Sequence, residues 1–144
     1  MRWVAVFDTN VLLSGSAWRG NPYRCLELAR SGIVEGLTCP GLLDELAENL
    51  KAKLGFSPAQ VADTVADLLG FLQLVTIANT LKVVAADPDD DKVLECAVVG
   101  WATHVVTGDR RHLLPLGNYQ GIAIVTPAEF LALVTAHQPR DSDS

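Results

Sequence analysis

Two apolar runs, each stopped by an aspartate, constrain this chain more than any other feature. Trp3-Val4-Ala5-Val6-Phe7 runs into Asp8, and His104-Val105-Val106-Thr107-Gly108 runs into Asp109. Short apolar runs without polar alternation are the pattern of strands buried on both faces. Helices must then cover both faces of the sheet, and the strands run parallel. In open α/β sheets the binding crevice lies at the carboxyl ends of the strands. Acids at two such ends, with Glu45 and the run Asp89-Asp90-Asp91 as further acidic positions, predict converging carboxylates and a site for a divalent cation.

The rest of the chain repeats a strand-helix alternation. Asn21-Pro22 opens a helical pattern through Cys25, Leu26 and Ala29 that Ser31-Gly32 closes, and Leu37-Thr38-Cys39 reads as a second strand. Pro40 begins an amphipathic helix with Leu43, Leu46, Ala47, Leu50 and Leu54 on one face, ended by Gly55. Ser57 is the expected N-cap of the next helix, whose stripe is Val61, Val65, Leu68, Leu69 and Leu72. Leu81 to Val84 is read as a third strand, Asp87-Pro88 as the start of a helix to about Gly100, and His104 to Thr107 as the fourth strand. Ile122 to Val125 gives a fifth, and Thr126-Pro127 starts a last helix through Phe130, Leu131 and Val134. The expected fold is therefore α/β, a three-layer α/β/α sandwich around a central parallel sheet of four to five strands. One domain spans residues 1–137, and residues 138–144 form a polar tail expected to be disordered.

Composition narrows the function classes. A chain of 144 residues with 49% hydrophobic residues can bury a full core alone. No apolar run approaches the roughly 18 residues of a membrane span, and Asp8 breaks the first apolar stretch too early for a secretory signal, so a cytoplasmic protein is expected. Cys25, Cys39 and Cys96 show no Cys-x-x-Cys spacing and are read as small buried hydrophobes, not as a disulfide framework or thiolate metal site. The net charge of -6 opposes a general affinity for phosphates. Acids gathered around a cation would leave the remaining surface closer to neutral, and Arg19, Arg24, Lys51, Lys53, Arg110 and Arg111 are candidates for a local basic rim.

Each acidic position has a plain structural alternative. Asp8 and Asp109 can act as turn residues leaving their strands. The aspartate run can cap a helix and favour its dipole. On a helix turning about 100° per residue, Asp90 shares the sheet-facing side with Val93, Leu94, Ala97 and Trp101, so Asp90 is preferred as a ligand and Asp91 remains the alternative. Glu45 points away from the Leu43-Leu46-Leu50 stripe and can be a solvated acid or one that reaches the site from its helix's first turns, with Asp44 and Glu48 as rivals. Thr9, Asn10 and Thr107 are polar residues able to support such a site. His104 reads as packed or surface, and Trp3 and Trp18 as core or interface aromatics.

These motifs carry a resemblance. Val6-Phe7-Asp8-Thr9-Asn10-Val11-Leu12-Leu13, Leu43-Asp44-Glu45-Leu46, the segment from Asp87 to Ala97, and Val105-Val106-Thr107-Gly108-Asp109 resemble the acidic motifs of PIN-domain ribonucleases. The match is nearest to the VapC-like toxins of bacterial toxin-antitoxin pairs and covers about Trp3 to Val134. It implies a PIN-like fold and metal-dependent endoribonuclease activity, and it favours Glu45 in the set Asp8, Glu45, Asp90 and Asp109, with Asp91 as alternative or outer acid. It also implies a small antitoxin protein that blocks the site and a homodimer of the toxin. Arg110, Arg111 and His112 are the residues expected to meet RNA phosphates.

Charge supplies a mechanism for such a set. Crowded carboxylates raise one another's pKa unless a cation compensates, and Mg²⁺ or Mn²⁺, one ion or two, suits hard oxygen donors where zinc would recruit His or Cys. Such ions activate a water for in-line attack on a phosphodiester. A phosphoacceptor receiver domain would need paired acids after strand one, and a haloacid-type phosphatase an acid where Asn10 stands. A stand-alone RNA-processing nuclease and a non-catalytic PIN scaffold that binds RNA or a partner remain alternatives.

Overall fold

The computed structural model describes residues 2–83 and 88–137. Its strands are β1 Val4–Phe7, β2 Glu35–Thr38, β3 Leu72–Leu74, β4 His104–Val106, β5 Asn118–Tyr119 and β6 Ile122–Val125. Its helices are α1 Thr9–Ala17, α2 Asn21–Arg30, α3 Pro40–Leu54, α4 Pro58–Leu69, α5 Pro88–Val99 and α6 Pro127–Ala136. The sheet order is β3-β2-β1-β4-β6-β5, parallel throughout except for the β5–β6 pair. The chain winds outward from β1 in both directions, so the crevice between β1 and β4 is the topological switch point where α/β folds bind ligands.

Alternating residues of β1 divide the core. Trp3, Ala5 and Phe7 join Val11, Leu12, Leu26, Leu46, Leu50, Leu68 and Phe130 beneath α1, α2, α3, α4 and α6. Val4 and Val6 join Leu37, Leu42, Val93, Leu94, Ala97, Val105 and Ile124 on the face that α5 covers. The expected three layers are present. All three cysteines are free and buried, and burial alone pushes the Cys25 thiol up to about 12.

Local chemistry sets the helix ends. Ser57 and Gln60 form a reciprocal capping box at α4, as Thr126 and Glu129 do at α6. Pro40 sits in the first turn of α3, and Gly55 ends that helix at φ 67°, a left-handed conformation that favours glycine.

Several expected elements differ. The third strand is Leu72–Leu74, not Leu81–Val84; α4 stops at Leu69, so Leu72 belongs to a strand and not to the helical stripe. An edge strand of three residues that buries only its first side chain leaves no apolar run to read. Leu81 to Val83 forms no ladder because its backbone N–H groups serve acids on α5. Leu81 N–H donates to Glu95 Oε1 at 2.8 Å and Val83 N–H to Asp91 Oδ1 at 2.9 Å. Val84, Asp87 and the tail 138–144 lie outside the described residues. Helix α1 and strand β5 have no counterpart in the sequence reading: the former mixes Ser and Gly with few helix formers, and the latter is two residues long. Gln120 at φ 51° and Gly121 at φ 84° make the tight turn into β6. Trp101 does not face the sheet: α5 ends at Val99, and Trp101 turns out at φ 58° with 88% of its surface exposed. Extrapolating a helical face past the end of its helix caused that error. Trp18 is also exposed, whereas Trp3 and His104 are buried against Phe130.

Glu95 generates a prediction. Burial alone would raise its pKa, but N–H groups of Leu81, Asn79, Thr80 and Ala78 outweigh burial and hold the carboxyl below its usual range. A lowered folded pKa stabilises the fold above the unfolded value, and that stabilisation is lost as pH falls through the lowered one. Glu95→Ala is expected to cost about 2 kcal/mol at neutral pH in urea unfolding. The gap from the parent should narrow as pH drops below about 4; a gap that stays constant down to pH 3 would contradict this role.

Candidate active site

The site begins with Asp8. It follows the last residue of β1 and caps α1, its Oδ1 accepting the Thr9 N–H at 2.7 Å, while Oδ2 accepts the Thr107 hydroxyl at 2.7 Å. The Thr107 oxygen in turn accepts the Asp109 N–H at 3.0 Å. Thr107 is fully buried and Asp8 is 7% exposed, so this chain of bonds is shielded from water. It ties the ends of β1 and β4 together across the switch point. Asp8 was weighed as a turn residue or a site acid; it caps α1 and also lines the cavity.

Asp109 lies three residues beyond β4, at the head of a turn that it organises itself. Its Oδ1 accepts the Arg111 N–H at 3.0 Å and its Oδ2 the Leu113 N–H at 3.2 Å. From the other strand end, Asn10 Oδ1 accepts the Gly108 N–H at 3.3 Å. The same turn brings His112 over the first turn of α5, where its Nδ1 is 2.9 Å from Asp90 Oδ2 and 3.9 Å from Asp109 Oδ2. Glu45, in the second turn of α3, is 3.7 Å from the Lys92 ammonium of α5. The lysine stem lies over Gly41, where an added Cβ would come within 2.9 Å of its Cδ. A glycine at this point lets α3 and α5 approach.

These groups surround one cavity of about 370 Å³, lined by Asp8, Thr9, Asn10, Leu13, Glu45, Asn49, Lys53, Asp90, Asp109, Arg111 and His112. Asp8, Glu45, Asp90 and Asp109 are thus brought together from four different segments of chain. Asp91 is not among the lining residues; it is buried and turned to the Val83 backbone. Thr107 stands behind the cavity as the bridge between its two strand-end acids. Of the cations considered for a rim, Lys53 and Arg111 line the cavity, while Arg19 stacks over Tyr23 and Arg110 lies near Glu129, whose carboxyl is held low first by its hydrogen bonds with Thr126 and only lastly by Arg110. Asn49 was not singled out from the sequence, whereas Lys53 was named as a rim cation; both follow Glu45 at steps of four on α3, the spacing that places residues on one helix face. Lys92 was equally overlooked beside the aspartate run.

The donor set fits a divalent cation. Asp8, Glu45, Asp90 and Asp109 line one space; among the described residues Asp90, Asp109 and His112 each offer a ligand atom within 4.8 Å of the others, whereas Asp8 and Glu45 line the cavity outside that close group. The Thr9 hydroxyl beside them is buried with no hydrogen-bond partner in the protein. The Thr38 hydroxyl, at the end of β2, is buried in the same way, so this feature is not particular to the cavity.

Comparison with known proteins agrees with the fold. Residues 4–111 match the family model described as PIN domain. No curated protein matches the sequence significantly. Among solved structures, a chain of VapBC2 from Rickettsia felis, crystallised bound to a DNA fragment from its promoter, is similar at TM-score 0.61 and 15% identity, covering 85% of this chain and 98% of that one. PAE2754 from Pyrobaculum aerophilum is similar at TM-score 0.61 and 16% identity, covering 95% and 100%.

The Thr107 bridge can be tested by stability. Thr107→Val keeps the side-chain shape but leaves Asp8 Oδ2 and the Asp109 N–H short of a partner in a buried place. Urea unfolding is expected to show a loss of about 2 kcal/mol; a variant as stable as the parent would show that the hydroxyl holds nothing together.

Proposed function

Because this chain belongs to the PIN-domain family, we propose that it is a metal-dependent endoribonuclease that hydrolyses RNA phosphodiesters, acting as the toxin of a toxin-antitoxin pair. The observation that carries this reading is the convergence of Asp8, Glu45, Asp90 and Asp109 on one open cavity at the switch point of the sheet. Asp91 acts behind them, through the chain segment it holds. Mg²⁺ or Mn²⁺, as one ion or two, is the cofactor class these oxygen donors suit. When bound, such an ion lowers the pKa of a water, aligns it for in-line attack and stabilises the leaving oxygen.

The protein's own residues do the rest. Thr9 N–H and the Thr107 hydroxyl fix the Asp8 carboxylate in a single orientation, so its lone pairs are directed before substrate arrives. The Lys92 ammonium beside Glu45 offsets part of the negative charge on the α3 side of the cavity. Lys53 and Arg111 line the same opening, with the neutral amide of Asn49 beside them, and give a polyanion a cationic approach to a mostly acidic centre. His112 and Arg111 belong to the turn expected to meet RNA, with Arg110 at its outer edge.

A small antitoxin that covers this opening, and a toxin homodimer, complete the proposal. The fold shared with a chain of the VapBC2 structure supports the antitoxin partner. No helix among the described residues is long and apolar enough to cross a membrane, and we place the protein's action in the cytoplasm.

Two tests address the reaction. Purified protein should cleave single-stranded RNA with Mn²⁺ or Mg²⁺ and stop on addition of a chelator. Asp8→Asn should lower the rate by roughly two to three orders of magnitude with the fold intact by circular dichroism. Cleavage undiminished in that variant would remove Asp8 from the chemistry. Lys53→Gln is expected to raise KM several-fold with little change in kcat and to flatten the dependence of log affinity on log salt by about 0.7, the slope of one phosphate contact on a single strand. An unchanged slope would place Lys53 outside the RNA path.

A further inference from the structure

Resting on the nuclease reading above, we propose that His112 is itself a metal ligand, so that the centre is a mixed nitrogen-oxygen site selective for Mn²⁺ over Mg²⁺. His112 Nδ1 lies 2.9 Å from Asp90 Oδ2 and 3.9 Å from Asp109 Oδ2. Ligand atoms at about 2.1 Å from one octahedral ion are separated by roughly 3.0 Å when adjacent and about 4.2 Å when opposite. The 2.9 Å separation from Asp90 is close to that of adjacent positions, and the 3.9 Å separation from Asp109 lies between the two values. The three ligand atoms all lie within 4.8 Å of one another, so a contraction of roughly half an ångström brings them onto one ion.

The surroundings favour this role over a phosphate contact. The ring is held against two acids inside the cavity, not presented outward as Lys53 and Arg111 are. Without a cation the 2.9 Å contact is a hydrogen bond between the ring and Asp90; a cation held by the two carboxylates would take the place of that proton, using the Nδ1 lone pair with the ring's proton on Nε2. Mg²⁺ prefers oxygen and retained water, so one imidazole nitrogen among otherwise oxygen ligands disfavours Mg²⁺ more than it does a transition ion such as Mn²⁺. The arrangement was hidden in the sequence because Asp90 and His112 stand 22 residues apart.

The chain has three histidines, and His104 and His137 both pack against Trp3, so a nitrogen bound to metal in this cavity has one source. The experiment uses Mn²⁺ alone as the probe, on the full chain and on His112→Gln, which keeps a hydrogen-bonding side chain beside Asp90 but no ring nitrogen. Calorimetric titration and pulsed electron paramagnetic resonance of the bound Mn²⁺ are read together, with melting curves to confirm that both proteins are folded. The expected result is a directly coupled ¹⁴N signal in the parent that is lost in His112→Gln. Mn²⁺ affinity should fall by about tenfold or more, while Mg²⁺ affinity changes less than about twofold. Bound Mn²⁺ without nitrogen coupling, together with metal-dependent cleavage, would overturn this inference and leave the nuclease reading standing. An equal loss of affinity for both ions would overturn the selectivity. Failure of the parent to bind Mn²⁺ at all would sink the inference and the nuclease reading together.

Discussion

A carboxylate pinned between two parallel strand ends is the constraint on which the site depends. Asp8 could not remain charged at such low exposure without donors, and it has Thr9 N–H and the Thr107 hydroxyl. Those bonds fix more than one side chain. Thr107 also receives the Asp109 N–H, so the position of the second strand-end acid follows from the first. The helix that starts at Thr9 and the turn that follows Gly108 leave the sheet in register with each other, with Asn10 reaching Gly108 across the gap. Two acids are thereby brought close by the backbone of the sheet, against their mutual repulsion.

Repulsion among these acids is offset locally by cations that the fold supplies at graded distances. Lys92 stands beside Glu45. Arg111 and Lys53 lie further out on the cavity wall. The net charge of -6 is thus a poor guide to the field at the opening, since part of the acidity is concentrated where a cation would neutralise it. Other acids are spent on structure: Asp67 makes a two-pronged pair with Arg30, and Glu95 holds the segment from Asn79 to Leu81. Counting charges along the chain cannot separate these uses.

What was legible in the sequence follows the same division. Strands β1, β4 and β6 lie inside the sheet, so their side chains are covered by helices and their apolar runs announce them. Strand β3 at one edge buries only Leu72, and β5 at the other is a two-residue hairpin arm; neither leaves a pattern. The acids that end buried strands were readable because an aspartate after an apolar run has few other reasons to be there. The convergence of Glu45 was not readable from periodicity, since its position relative to the leucine stripe of α3 says only that it avoids the core; the motif resemblance was what brought it into the set. Lys92 over Gly41 and the ring of His112 beside Asp90 depend on contacts between distant segments. No local spacing encodes those contacts.

The aspartate run shows why identity and position had to be separated. Asp90 and Asp91 are neighbours in sequence, yet a helix rotates them by about 100° and gives them different partners. Asp91 takes the Val83 N–H, and Glu95, one turn later, takes the N–H groups of Asn79 and Leu81. These bonds fasten one side of α5 to the chain that precedes it and fix its rotation. Asp90 is then turned to the cavity by the anchoring of its neighbours. An acid that only binds an ion would be free to swing away between encounters, whereas one on a helix locked by buried hydrogen bonds keeps its aim. The apparent redundancy of three aspartates in a row is therefore a division of work, in which Asp91 holds the helix and Asp90 faces the site.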